Sequence, residues 1–584
     1  MCGVAGVCLA PHARGADAVA LTTGLLGRLA HRGPDGSGVL GSQGSALGMV
    51  RLRVRSAPGD SVPFTGGGAD DVHAFNGEVY RCGAATPDGG LAEARAVAAG
   101  TECLDGMYAL ATTSADGSLR LTRDPLGIKP LYVRQVPEGV AVASETAPLL
   151  HLFGGPPRLR PEAFAQFLLT GRRVVDGGTF HEGVRPVAPG ERLTLSAGRM
   201  SGSERPRTAP CGGEPAPAEI RAALEEAVER VLLTDRQVGL ALSGGVDSTI
   251  LAALLARRGI RDLPTVSVCP QNTSDGVRDL AGLGLPPEAL DTWRHRWTPF
   301  RPDDLLDGLP AAVRAFGEPV AMTSIPMYAA LAALARTSGI TVLVVGEGAD
   351  ELFAGYNRYV PLFQGRYEDP QDFYASPEKL RLTRELVGPD AALAAHDALR
   401  DAVGRARETA GHRRGRIPTP VDVVREFELE HSLEPLLRRT DHLLMGEGIE
   451  GRTPFLHAGL PALAARCSPG ALVRGSRTKA VMREAFGDLL PERYLDQRKQ
   501  PFRAPLPQWL GGAALPRVDR SLAEATGELY ARLGVLPSGV DLVRERLRRG
   551  DADVFGTAFA LLSGAAWLRE ADTEPTGAVA DVHR

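Results

Sequence analysis

Several kinds of residue and pattern are scarce in this sequence, and each shortage excludes a class of protein. Its 584 residues include only seven cysteines: Cys2, Cys8, Cys82, Cys103, Cys211, Cys269 and Cys467. The count is odd, no CxxC pair occurs, and no Cys/His spacing suits a metal. A disulfide framework and a structural zinc site are therefore not expected, and a reducing, cytoplasmic setting is. The chain does not open on a basic stretch followed by an apolar one, so no secretory signal is expected. It has no run of about 18 apolar residues, so no membrane span is expected either. The net charge is only -4, and no basic field calls for nucleic acid. The run His412-Arg413-Arg414-Gly415-Arg416 reads as a solvated loop. Internal repeats and low-complexity tracts are missing too.

What is present suits a soluble enzyme. Hydrophobic residues make up 43% of the chain, enough to bury real cores. At about 100–200 residues per domain, the length allows two to four domains. The first part reads as mainly β. Val4–Leu9, Ala46–Val54 and Val72–Asn76 are strand-like, and residues 106–111 and 118–122 suggest a hairpin around Ala115-Asp116-Gly117. Residues 18–29 and 91–99 have helical period. The polar, Gly- and Pro-rich residues 201–217 read as a linker. Beyond it, strands (237–242, 341–345) alternate with helices (220–233, 248–258), the pattern of a parallel sheet wrapped by helices. From about residue 372 the chain is mostly helical, with breaks at Pro418, Pro454, Pro491 and Pro505.

Two places carry chemistry. Cys2 follows the initiator methionine, whose removal would leave a thiol and an α-amine on one residue. That amine titrates near 7.7–8.0 and can serve as base to the thiol. A thiolate attacking an amide needs an oxyanion hole. In Phe75-Asn76-Gly77-Glu78, an Asn amide and a Gly N–H can converge to form one. Arg51 can fork onto a carboxylate, and Glu78 or Asp88 can hold an ammonium group. The second place is Ser243-Gly244-Gly245-Val246-Asp247-Ser248, between a buried strand and an apolar helix. Glycines there let the backbone approach phosphate, and the helix start favours the anion. No GK[ST] follows, so this is not a Walker A loop. Val345-Gly346-Glu347-Gly348-Ala349-Asp350-Glu351 also follows a strand, where parallel sheets bind ligands. Lys479 lies in Ser476-Arg477-Thr478-Lys479, and Arg498 in Arg498-Lys499-Gln500-Pro501-Phe502.

These motifs, with Cys2-Gly3-Val4-Ala5-Gly6, His31-Arg32-Gly33-Pro34-Asp35-Gly36 and Arg123-Asp124-Pro125-Leu126-Gly127, resemble the glutamine-hydrolysing asparagine synthetase family, whose glutaminase half is that of class II amidotransferases. The resemblance spans Cys2 to about Trp567. It implies an α+β N-terminal-nucleophile glutaminase sandwich over residues 1–200, a linker over 201–217, and an α/β doubly wound ATP-pyrophosphatase domain with a helical extension over 218–584. It also implies an internal ammonia tunnel. Carried over residue by residue, Cys2 is the nucleophile, Asn76 and Gly77 form the oxyanion hole, and Arg51, Glu78 and Asp88 bind glutamine. Leu242, Ser243, Gly244, Gly245, Asp247, Ser248, Val268, Gly346 and Arg498 bind ATP or pyrophosphate. Asp247 and Asp350 bind Mg²⁺, Glu347 lies beside the reacting acyl group, and Lys479 neutralises the phosphates or the intermediate. ATP, Mg²⁺ and glutamine are the implied cofactors and nitrogen donor.

The acceptor is a small-molecule or peptide carboxylate. No membrane or nucleic-acid partner is expected, and a homodimer is left open. The family's Asp-Arg-Met-Ser-Met-Ala is Asp441-His442-Leu443-Leu444-Met445-Gly446 here, and its Pro-Phe-Leu-Asp is Pro454-Phe455-Leu456-His457. Such drift points first to a non-aspartate acid of specialised metabolism, such as antibiotic biosynthesis, with aspartate as the alternative. An ATP-dependent intramolecular cyclase and a non-catalytic binding protein are the further readings. The intact Cys2 and its glutamine pocket weigh against the cyclase, and Asp247, Asp350 and Lys479 against the binding protein.

Overall fold

In the computed structural model, residues 2–13, 17–42, 44–55, 61–66, 71–100, 104–114, 116–150, 157–171, 174–205, 212–273, 276–496 and 502–572 are described. The first twelve strands are β1 (Cys2–Leu9), β2 (Gly36–Ser42), β3 (Ser45–Arg51), β4 (Phe64–Thr65), β5 (Val72–Cys82), β6 (Leu104–Thr113), β7 (Leu119–Arg123), β8 (Tyr132–Val136), β9 (Gly139–Ala143), β10 (Val184–Pro186), β11 (Arg192–Ser196) and β12 (Arg199–Glu204). They form two six-stranded sheets, ordered β10-β8-β9-β1-β3-β2 and β12-β11-β7-β6-β5-β4. All their pairings are antiparallel.

Alternation along β1 sets the layers. Cys2, Val4 and Cys8 enter a core shared with Phe75, Val79 and Leu110 of the second sheet. Ala5, Val7 and Leu9 face the other way, against Leu25 and Leu26 of the helix Ala18–Gly27. Side chains of a strand alternate between its faces, so Cys2 lies between the two sheets at the start of a central strand. Helix Gly90–Ala98 places Ala94 and Val97 in that same core. β12 runs through Glu204 and pairs with β11, so the start of the expected linker is an edge strand. All its residues are exposed, which is why its polar composition reads as a loop.

Five more strands follow: β13 (Val238–Ala241), β14 (Pro264–Pro270), β15 (Arg294–Phe300), β16 (Val342–Val344) and β17 (Glu450–Arg452). They make one parallel sheet in the order β15-β14-β13-β16-β17. Leu240, Leu242 and Val344 pack on one face with the helices Pro217–Val231 and Val246–Arg257. Val266, Val268, Leu343 and Val345 pack on the other face, with helices including Ser324–Thr337 and Phe555–Asp572. The chain winds outward from β13 to β15 on one side, and β16 and β17 lie on the other. The β13/β16 boundary is therefore the reversal point where such sheets bind ligands. Among the described residues, no helix is long and apolar enough to cross a membrane, and the described cysteines are free.

Candidate active sites

Cys2 pairs with Arg51 across β1 and β3. Its backbone N–H donates to Asn76 Oδ1 at 2.9 Å, which joins the two sheets. Asn76 is fully buried, and its Nδ2 has no hydrogen-bond partner. A buried, idle amide donor costs about 1–3 kcal/mol, so this one is poised for an acceptor that arrives with substrate. Gly77 follows at φ +149°, and a Cβ there would lie 2.0 Å from the Met107 carbonyl oxygen. Only glycine fits that strand crossing.

Burial pushes the Cys2 thiol up, and the Arg51 charge opposes the shift. The sulfur therefore rests as a thiol and needs a base to attack. Arg51 is itself buried, with its guanidinium over the Phe64 ring at 5.2 Å. Glu78 is buried and its Oε2 accepts no hydrogen bond. Arg55 stands 3.5 Å from that oxygen and Arg452, from β17, 3.9 Å. Burial and then the nearby Glu450 push the Glu78 carboxyl up, against the pull of Arg452. Asp88 is exposed just before the helix Gly90–Ala98. The residues beside it carry no local sequence signature. Glu93, on that helix, accepts from Val79 N–H at 2.9 Å and from Arg55 at 3.0 Å, and Arg55 also donates to the Pro87 carbonyl.

The second constellation gathers at the β13/β16 boundary. Ser243-Gly244-Gly245 leads from β13 into the helix Val246–Arg257, with Gly244 at φ +77°. The loop is tied by Ser243 N–H to Ser248 Oγ at 3.3 Å and by Ser248 Oγ–H to the Gly245 carbonyl at 3.2 Å. Leu242, just past β13, and Val268, within β14, are both buried. Just beyond β16, a Cβ placed on Gly346 would lie 3.3 Å from Asp247 Cβ, so that glycine lets the two strand-end loops approach closely. Lys479 caps the helix Ala480–Ala485 in a left-handed conformation. Its Nζ reaches Asp247 Oδ1 at 2.5 Å and Asp350 Oδ1 at 2.6 Å.

The two aspartates, 103 residues apart in the chain, thus converge on one cation. Hard carboxylate oxygens spaced this way suit Mg²⁺ when substrate phosphates complete the shell. Among the described residues, no group of three His, Cys, Asp or Glu side chains could hold a metal unaided. Glu347 pairs with Arg439 at 2.5 Å, and Arg439 also donates to Ser324 Oγ at 2.7 Å. Next to Asp350, burial and then that aspartate push the Glu351 carboxyl up to about 8, and Tyr356 donates to it. Arg498 lies outside the described residues. His442 and His457, the motif departures, turn to the Phe316 carbonyl at 3.3 Å and to Asp105 at 3.1 Å.

Comparison with known proteins places both halves. The asparagine synthase family matches residues 219–555, and a glutamine amidotransferase domain matches residues 1–84 and 94–205. A putative glutamine-hydrolysing asparagine synthetase of Mycobacterium tuberculosis H37Rv is 28% identical, over 88% of this chain and 89% of its own. Glutamine-hydrolysing asparagine synthetase 1 of Bacillus subtilis is 25% identical over 91% of each. Among solved structures, the glutamine phosphoribosylpyrophosphate amidotransferase of B. subtilis aligns at 17% identity over 45% of this chain and 65% of its own, with a TM-score of 0.24.

Proposed function

This chain belongs to the asparagine synthase family, and we propose that it makes a carboxamide by joining two reactions. Ammonia is freed from glutamine at Cys2 and captured by an acyl-adenylate at the β13/β16 boundary. The observation that carries the first half is the hydrogen bond from Cys2 N–H to Asn76 Oδ1, which leaves the buried Asn76 Nδ2 idle. With Met1 removed, the Cys2 nitrogen is a free amine. It takes the thiol proton as sulfur attacks the glutamine side-chain carbonyl. Asn76 Nδ2 and the Gly77 N–H receive the oxyanion. The C–N bond breaks, the leaving nitrogen takes the proton as ammonia, and water then cleaves the thioester to glutamate. Arg51 grips the glutamine α-carboxylate, and Glu78, with Asp88, faces its ammonium.

In the second half, a carboxylate oxygen of the acceptor attacks the α-phosphorus of ATP, and pyrophosphate leaves. Ammonia then displaces AMP from the acyl carbon. The Ser243–Ser248 loop and the start of the helix Val246–Arg257 cradle phosphate. Asp247 and Asp350 would hold Mg²⁺, which neutralises phosphate charge when bound. Lys479, released from the aspartates, offers its ammonium to the pyrophosphate or to the tetrahedral intermediate. Glu347, fixed by Arg439, lies where it can accept a proton from the attacking ammonia. Arg498 completes the phosphate contacts in this reading.

For the acceptor we propose a carboxylic acid other than aspartate, drawn from specialised metabolism, with aspartate second. The support is the departure from the family's pattern at His442 and His457. The test is a panel of carboxylic acids, L-aspartate included, incubated with ATP, Mg²⁺ and ammonium while AMP and pyrophosphate are assayed. The expected outcome is turnover with a non-aspartate acid. Turnover with aspartate alone makes this an asparagine synthetase. ATP turnover without added ammonia, on an acid bearing its own amine, makes it a cyclase.

A further inference from the structure

The helix Leu433–Gly446 is buried nearly all the way round, from Leu433 to Met445. A helix apolar on every side is simply core, but this one carries Arg438, Arg439, Thr440, Asp441 and His442 in sequence, all buried. Successive residues of an α-helix are rotated by about 100°, so residues two apart point to nearly opposite sides. Arg439 and Asp441 stand in that relation. Arg439 reaches Glu347 and Ser324 at the nucleotide end of the parallel sheet. Asp441 reaches the opposite way and accepts from Arg32 Nη2 at 2.6 Å.

Arg32 has no solvent exposure. Its Nη1 donates to Glu145 at 2.7 Å and its Nε to the Cys2 carbonyl at 3.3 Å. Lys129 stands 3.6 Å from Asp441 on the same side. Between the two arms, Thr440 donates to the Tyr328 hydroxyl at 3.2 Å, and the Tyr328 ring carries the Arg439 guanidinium at 4.5 Å. The backbone of Cys2 and the partly buried carboxylate of Glu347 are thus joined by one chain of charged and polar contacts, and a single buried helix supplies its middle.

We propose that this helix is the mechanical link between the two sites. Asp441 is a positioning residue that fixes the Cys2 backbone through Arg32. Arg439 is its counterpart at Glu347. When nucleotide binding draws Glu347 or Arg439 into a new arrangement, the helix moves as a unit, because buried charge pairs tolerate little separation. Asp441 then carries that shift to Arg32 and Cys2. Allosteric coupling of this kind requires a two-state element that both sites bias, and Leu433–Gly446 is that element. The inference rests on the two-reaction reading above.

The test measures glutamate release by the full-length protein with and without MgATP, alongside amide formation from ammonium. In the wild type, MgATP is expected to change the glutaminase kcat. Asp441→Asn keeps the shape but removes the negative charge that faces Arg32. It is expected to lower glutaminase kcat about 10-fold with little change in KM, to abolish the MgATP response, and to leave ammonium-dependent synthesis within about two-fold. Asp441→Glu should restore part of the response, and its melting curve reports folding separately. A wild type that makes amide from glutamine but whose glutamate release ignores MgATP overturns the link and leaves the two-reaction reading standing. The link is also overturned if Asp441→Asn responds to MgATP as the wild type does, or if both Asp441 variants lose ammonium-dependent synthesis as severely as glutaminase. A wild type that forms no amide from either nitrogen source overturns the two-reaction reading, and the link with it.

Discussion

Removing the Lys479 ammonium is the perturbation whose consequences follow most directly from the geometry. Two carboxylate oxygens, of Asp247 and Asp350, lie within 2.6 Å of one nitrogen, so they are no more than about 5 Å apart. At that separation and an effective dielectric near 20, two bare negative charges repel by roughly 3 kcal/mol. Lys479→Met keeps most of the stem and removes the ammonium that offsets that repulsion. The cost of breaking one side of a buried pair is about 3–5 kcal/mol. In a structural unit of this size that is a fall of roughly 5 °C in the unfolding midpoint. Mg²⁺ without nucleotide should return much of the loss, because a divalent cation can replace the ammonium between the aspartates. Wild-type protein, whose site already holds a cation, should gain less from Mg²⁺. The same variant should lose both glutamine- and ammonium-dependent amide formation while still releasing glutamate. Thermal melts with and without Mg²⁺, read beside the three activities, check this. A variant that melts like the wild type and gains nothing from Mg²⁺ refutes the electrostatic argument.

Two further outcomes follow from single contacts. Asn76→Ala removes the idle buried donor beside Cys2, and loss of one oxyanion donor typically costs 10²–10³ in kcat. Glutaminase kcat should fall by about that factor with ammonium-dependent synthesis unchanged, and a fall under about five-fold would remove Asn76 from the oxyanion hole. Glu351 holds its proton up to about pH 8 in the folded chain, against an ordinary value of 4.5. The folded state therefore binds that proton more tightly than the unfolded state. The stabilisation is full below about pH 4.5 and is lost as pH rises through about 8, on the order of a few kcal/mol. Glu351→Gln should flatten the decline in unfolding midpoint between about pH 5 and 9, and parallel curves for the two proteins would contradict this assignment.

The parts of the sites that were legible in the sequence are those built by contiguous residues at strand ends. Cys2, Asn76–Gly77 and the loops Ser243–Ser248 and Gly346–Glu351 announce themselves because glycine, a carboxylate and an apolar strand lie together in the chain. The side chains that hold these groups in place did not, because their pairs join distant residues. Arg439 and Glu347 are 92 residues apart, and Arg32 and Asp441 are 409. Arg55 and Glu93 had no local signature at all. Elements were missed for related reasons. β17 is Glu-Gly-Arg, buried through its charges rather than by apolar residues. β15 has an exposed, basic edge-strand pattern, and the polar β12 resembled a linker. The histidines that suggested a changed acceptor turn out to pack against Phe316 and Asp105.

Cys2 is the residue on which the division of labour between the two sites depends most directly. Cys2→Ala protein, checked for a wild-type melting curve, should form no amide from glutamine and full wild-type amounts from ammonium with the same acceptor and ATP. If ammonium-dependent synthesis disappears as well in the folded variant, or if glutamine still serves as nitrogen donor, the division of labour between Cys2 and the Asp247–Asp350–Lys479 site is wrong.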